Sequence, residues 1–474
     1  MRRSAPACRV SGVGAAATAN TESTHIQGTV TLGASGGRGG AGGGVGLSLG
    51  GQVATAGVLA HAAVAQSIGG GGGLNLTRTH AAVLGGSQAQ SGGLVQLGSS
   101  AAVQTSGSGA MGLVAQSIGG GGGLSNALVS ATLGGAGGFA NGGNVRVCNL
   151  LDASSRCSGD AWLTGSIATT GPLGHGLLAQ SIGGGGGAVL SPNNGLQETL
   201  RNSGSIGGEL SVWTAQAIST QGNGAAGLVA QSIGAGGGLV SDHYWGPTTV
   251  GHTLKASSSV NQSTGGAVVV DASRGNQAWG TAGLNAPMLV AQSIGGGGGL
   301  FTHTNLTQAA TLDLTFQLGG TGGSSDSAST SVALGARAIS TTGAGSLGVL
   351  AQSVAGGGGL FSWVAPTVAA PGSTASTTAT LSGQLGQTAS GSRAFDVSVS
   401  GSPVLSTQGL HAAGVVAQSV ANGGGLVLAA GRAGQVFGGT LNLGATSGDW
   451  KFSGATRVQL DGGSLTTSGD MAPA

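Results

Sequence analysis

Apolar residues in this chain come in short runs, and inside each run the pattern repeats every second residue. In Leu113-Val114-Ala115-Gln116-Ser117-Ile118, alternation puts Val114, Gln116 and Ile118 on one face of an extended strand and Leu113, Ala115 and Ser117 on the other. Asn144-Val145-Arg146-Val147, Ala267-Val268-Val269-Val270 and Phe395-Asp396-Val397-Ser398-Val399 read as further strands. No 3.6-residue period is sustained anywhere, so the chain reads as all-β. The β-branched face is the expected inward one, which buries the glutamine. The opposite orientation stays open, because both faces are partly apolar. A buried carboxamide is expensive unless it is hydrogen-bonded, and identical residues stacked in a ladder would satisfy one another.

The pattern also recurs on a longer scale. Ala-Gln-Ser-(Ile/Val) runs into a glycine block seven times, at Gln66, Gln116, Gln180, Gln231, Gln292, Gln352 and Gln418. Thirteen residues before each glutamine sits a large apolar residue (Val53, Val103, Ile167, Ile218, Trp279, Ile339, Leu405). Nine residues before it sits a glycine (Gly57, Gly107, Gly171, Gly222, Gly283, Gly343, Gly409), which marks a turn needing positive φ or close approach. One supersecondary unit stacked on its copies is the physical reading. The repeats run 53–102, 103–166, 167–217, 218–278, 279–338, 339–404 and 405–464; residues 1–52 resemble the tail of a preceding repeat, and 465–474 begin an eighth. Three strands of roughly five residues and three short turns predict about 21 residues per coil, hence about three coils per repeat. At about 4.8 Å per coil this predicts one continuous β-solenoid on the order of 100 Å long. Both ends read as cut, as in a fragment.

Composition narrows the classes. Glycine fills 104 of 474 positions without a Gly-X-Y period, which alone would suggest disorder, but 39% hydrophobic residues supply a thin continuous core. The net charge is +2 with no Lys/Arg cluster beyond Arg2-Arg3, so neither a nucleic-acid groove nor an anionic membrane surface is an expected partner. No apolar run is long enough for a membrane-spanning helix, and Met1-Arg2-Arg3-Ser4-Ala5-Pro6-Ala7-Cys8 lacks the apolar stretch of a secretory signal.

Candidate chemistry is sparse. Cys148 and Cys157 are close enough to clip one excursion loop in an oxidising compartment, with two free thiols as the blander reading. Gly37-x-Gly39-x-x-Gly42 matches a phosphate-loop pattern, but chance matches abound at this glycine content and no Gly-Lys-(Ser/Thr) follows any run. Gly33-Ala34-Ser35-Gly36-Gly37 matches a nucleophile elbow without the strand and helix that would present it. The eight histidines are scattered, and no metal, cofactor or catalytic set is expected. Trp162, Tyr244, Trp245, Phe361 and Trp363 fall in segments that read as excursion loops, where aromatics would contact a glycan or protein; covering the coil is the alternative.

The block Gly-Leu-Leu-Ala-Gln-Ser-Ile-Gly-Gly-Gly-Gly-Gly at 176–187 resembles the passenger repeats of large Gly-rich autotransporters of Gram-negative bacteria. The resemblance covers roughly 53–474. It implies a right-handed parallel β-helix, a structural or adhesive rod without catalysis of its own, at the cell surface or secreted. It also implies contact with host or bacterial surface glycans or proteins, and export through a C-terminal β-barrel translocator. This chain shows neither a signal peptide nor the terminal run of barrel strands. Two alternatives stand beside it: the scaffold of a passenger whose protease or esterase module lies elsewhere, and a Gly-rich envelope or low-complexity protein.

Overall fold

The computed structural model describes residues 8–11, 26–33, 39–86, 90–134, 139–191, 197–200, 205–244, 250–256, 263–305, 311–319, 324–365, 378–386, 391–431, 436–444 and 451–473. Among these every named strand pairs in parallel, in stacked sheets of nine, eight, seven and fourteen strands, which is a parallel β-helix. Gln66 lies beside Gln116, and Gln116 beside Gln180. These partners are 50 and 64 residues apart, so one repeat is one coil, not three coils of about 21 residues. The invariant block builds only part of each turn, and the variable remainder builds the rest. With nine strands stacked one per coil in the first-wall sheet, the stack is on the order of 40 Å long, not 100 Å.

Each coil visits five positions. In the coil that contains Gln116, these are a first wall (Val95–Ser99), a second wall (Ala102–Thr105) and a third wall (Leu113–Ile118). The long strand Gly122–Leu133 follows, and in later coils it divides into an inner flap such as Gly298–Asn305 and an outer flap such as Thr311–Leu318. The three walls enclose one core, with Val95 and Leu97, Val103, and Leu113 and Ala115 facing inward. The inner flap covers the other side of the third wall, where Val114 packs with Leu124. Phe301 and Phe361 then pack under Phe316 and Leu314 of the outer flap.

The third wall is therefore buried on both faces, as parallel sheets commonly are. Both readings of its orientation hold at once: Leu113 and Ala115 face the walls, while Val114, Gln116 and Ile118 face the flap. All six residues of that strand are buried. Hiding Leu113, Val114 and Ile118 contributes about 1.5–3 kcal/mol each.

The corner between the second and third walls explains the recurrent glycine. A Cβ on Gly107 would overlap the carbonyl oxygen of Gly57 in the coil below, and one on Gly283 that of Gly222. Close approach, not positive φ, is the requirement. Two residues further on the backbone is left-handed: Leu59, Gly109, Leu173, Gly224, Asn285, Gly345, His411 and Met471 have φ between 52° and 69°. Large and glycine residues alternate there from Leu59 to His411, after which Met471 follows His411 directly. A Cβ on Gly109 would come within 2.7 Å of Leu59 Cδ2, and one on Gly224 within 2.7 Å of Leu173 Cδ2. Leu59 and Leu173 thus fill the space over the glycine of the next coil, whereas over Gly345 that space is filled by Val364.

Candidate functional site

The seven glutamines stand in one column on the flap side of the third wall. Gln66 Nε2 donates to Gln116 Oε1 at 2.5 Å, and the same bond repeats upward to Gln418 at 2.6, 2.8, 2.7, 2.7 and 2.7 Å. All carboxamides point the same way. Gln116, Gln180, Gln231, Gln292 and Gln352 are fully buried, so each rung satisfies groups that would otherwise cost about 1–3 kcal/mol.

The serine beside each glutamine points to the opposite face and makes a second ladder. Ser117 Oγ donates to Gly93 O at 2.7 Å and accepts from the Gly143 N–H at 2.8 Å. Ser181 repeats this with Gly143 and Gly208, and Ser419 with Phe395 and Gly454. These serines thus tie the third wall to the run-in of the first wall in their own coil and in the next, and Ser293 makes only the bond to the next coil. The sequence carried a cue, since serine follows the glutamine in every block.

Buried polar side chains gather where the flap meets the second-to-third corner. The Ala226 N–H donates to His175 Nδ1 at 3.0 Å, so the ring proton sits on Nε2, which bonds Ser241 Oγ at 3.2 Å. Ser241 Oγ also lies 2.9 Å from Thr302 Oγ1, a bond in which either hydroxyl can donate. A nucleophilic serine must donate to its histidine; this one accepts. Burial pushes His175 down to about 3, with His61 adding to the effect, and pushes His61 and His243 down to about 4. For His243, Asp242 opposes that shift and His303 adds to it. On the outer-flap side, His303 Nδ1 lies 3.1 Å from Asp242 Oδ2, with both side chains nearly inaccessible. Spacing in the sequence did not reveal these pairs, because register brings together residues 61 or more positions apart. Among the described residues no group of three or more His, Cys, Asp or Glu could hold a metal ion.

The aromatic residues need correction. Phe361 and Trp363 are not on an exposed loop: they lie on the inner-flap strand Gly358–Val364, 0% and 1% exposed. Phe361 stacks on Phe316 with ring centroids 4.0 Å apart. Their two-residue spacing turns both toward the outer flap, which covers them. Tyr244 closes the strand Gly237–Tyr244, and Trp245 lies outside the described residues. Ser35 of the Gly33–Gly37 motif and Gly37 of the phosphate-loop pattern lie outside them too.

Trp162 is half-buried beside the first wall, next to a closed Cys148–Cys157 disulfide. Its ring lies 4.7 Å from that of Trp213, tilted by 32°, and the Arg274 guanidinium sits 4.3 Å from its centroid. The outer face of the second wall carries a shallow groove of about 460 Å³, lined by Ala54, Ala56, Gln104, Ser106, Ala168 and Thr170. Those side chains hold no titratable group. No helix is long and apolar enough to cross a membrane among the described residues. No family model matches this chain, and comparison with curated proteins and with solved structures finds no similar one.

Proposed function

We propose that this chain is a scaffold segment of an autotransporter passenger, displayed at a Gram-negative cell surface or secreted, with a structural and adhesive role and no chemistry of its own. The observation that supports this most is the unbroken six-rung glutamine ladder, which links seven coils in one continuous stack. In addition, the His175 hydrogen bonds are directed into the fold and the Phe316–Phe361 stack is covered. A passenger gains by this construction. Its backbone partners lie in adjacent coils, so each coil can add to the one before it as the chain emerges from a translocator.

At 50 to 66 residues per coil the coils gain little length and much width. The reading is therefore a broad, stiff display body whose outer wall faces offer weak contacts many times over. The test is to fuse residues 1–474 to a signal peptide and a β-barrel translocator in a Gram-negative host. Antibody labelling of intact cells and binding to glycan and matrix-protein arrays are then measured. Surface labelling with array binding above that of the barrel alone supports the reading. A chain held in the periplasm sinks the display role, and display without binding sinks the adhesive one.

A further inference from the structure

The connection from first to second wall is short in most coils, as between Gly50 and Gln52, Ser99 and Ala102, or Leu334 and Ala338. Between Val147 and Ser166 it instead forms a knuckle closed by Cys148–Cys157. The knuckle has its own internal order: Leu151 bridges Cys157 antiparallel, and Asn149 Nδ2 donates to Trp162 O at 2.8 Å. Cys148, Cys157 and Ala161 form a small apolar cluster of their own.

Its contacts reach well beyond its own coil. Toward the coil below, the Ser99 N–H donates to Asn149 Oδ1 at 2.8 Å. Within its own coil, Arg146, 2% exposed, donates from Nε to Ser155 O at 3.1 Å; toward the coil above, its Nη2 pairs with Glu209 at 2.7 Å. Trp213 of that coil packs on the cysteine cluster and on Trp162. Two coils above, Arg274 caps Trp162 and pairs with Asp160. Four consecutive coils meet at this knuckle. The first-wall ladder beneath it does not pass through the sulfurs, because Val145 pairs directly with Val95 and Leu210.

We propose that the Cys148–Cys157 knuckle is a redox-controlled latch that locks four consecutive coils at one corner, and that reduction opens this corner without unwinding the coils. A dithiol supplies the two electrons and two protons: the Sγ–Sγ bond breaks, two cysteine thiols form, and the reductant leaves as its cyclic disulfide. Opening frees residues 149–156 and uncovers Trp162 and Trp213. Arg156, exposed inside the closed loop, becomes a substrate for trypsin.

The full chain is compared with and without dithiothreitol, beside a Cys148→Ser/Cys157→Ser variant. The readouts are trypsin cleavage after Arg156, iodide quenching of tryptophan emission, and far-UV circular dichroism. Cleavage roughly tenfold faster is expected for the reduced chain and for the double variant, because loss of loop closure raises the open population. Quenching rises in both, the far-UV spectrum stays unchanged, and a Trp162→Phe/Trp213→Phe background removes the quenching change. Unchanged cleavage and quenching overturn the latch. Loss of the β spectrum on reduction overturns it as well, since the bridge then holds the whole stack.

Discussion

The side-chain amide of Gln180 donates to Gln231 Oε1 over 2.8 Å, across 51 residues of chain and one coil of the stack. Gln231 in turn donates to Gln292 at 2.7 Å. Replacing Gln231 by leucine strands a donor below and an acceptor above, both buried. We expect a loss of about 2–4 kcal/mol, read as a lower urea midpoint. Gln231→Glu should cost more, since it keeps the shape but places a carboxylate without a partner cation. A Gln231→Leu protein as stable as the parent would mean that the ladder follows from the stacking and adds nothing to it.

Gly283 offers a steric test. Its alanine variant would drive a methyl group into the Gly222 carbonyl, whereas a methyl at Gly46 meets nothing within 4 Å. Thermal melting should show Gly283→Ala several degrees below the parent, consistent with a strain of about 1–3 kcal/mol, and Gly46→Ala indistinguishable from it. Equal melting of the two variants would show that the corner can relax.

Acid should loosen the seam between flap and corner. His175, His61 and His243 titrate near 6.5 when unfolded, but burial lowers them to about 3, 4 and 4. Between about pH 4 and 6.5 the unfolded chain binds more protons, so stability rises with pH there and is lost as the solution is acidified through that window. For His175 alone the slope reaches about 1.4 kcal/mol per pH unit. Urea midpoints at pH 7.0, 5.5 and 4.5 should fall steadily, and less steeply in His175→Gln. Parallel slopes for the two proteins would remove His175 as the cause.

Phe361→Ala separates a core aromatic from a contact residue. Emptying the stack on Phe316 should cost about 3–5 kcal/mol and lower the melting temperature, with any surface binding retained in the folded fraction. A stable variant that has lost binding would return Phe361 to an exposed role.

The parts of the fold legible from sequence were those that repeat at fixed offsets. The glutamine column and the corner glycine could be read because each position meets its own copy in the next coil. The coil size could not. Variable segments after the glycine blocks look like excursions, yet Leu300-Phe301-Thr302 and Leu360-Phe361-Ser362 pair residue for residue. Their period-two pattern was the available signal, and unequal spacing between blocks masked it. The left-handed corner position was hidden for a different reason. Leucine, asparagine, histidine and glycine all occupy it, so no single residue type marks the conformation. The Asp242–His303 pair depends on strand register alone and leaves no local trace.

The alternation of bulk and glycine at that corner, from Leu59 to His411, bears on how such an array could change length. Within the alternating stretch, excising a lone repeat would set two glycines or two bulky residues over one another, whereas excising a couplet restores the existing order. Shortening or extending that stretch should therefore be tolerated best in steps of two coils.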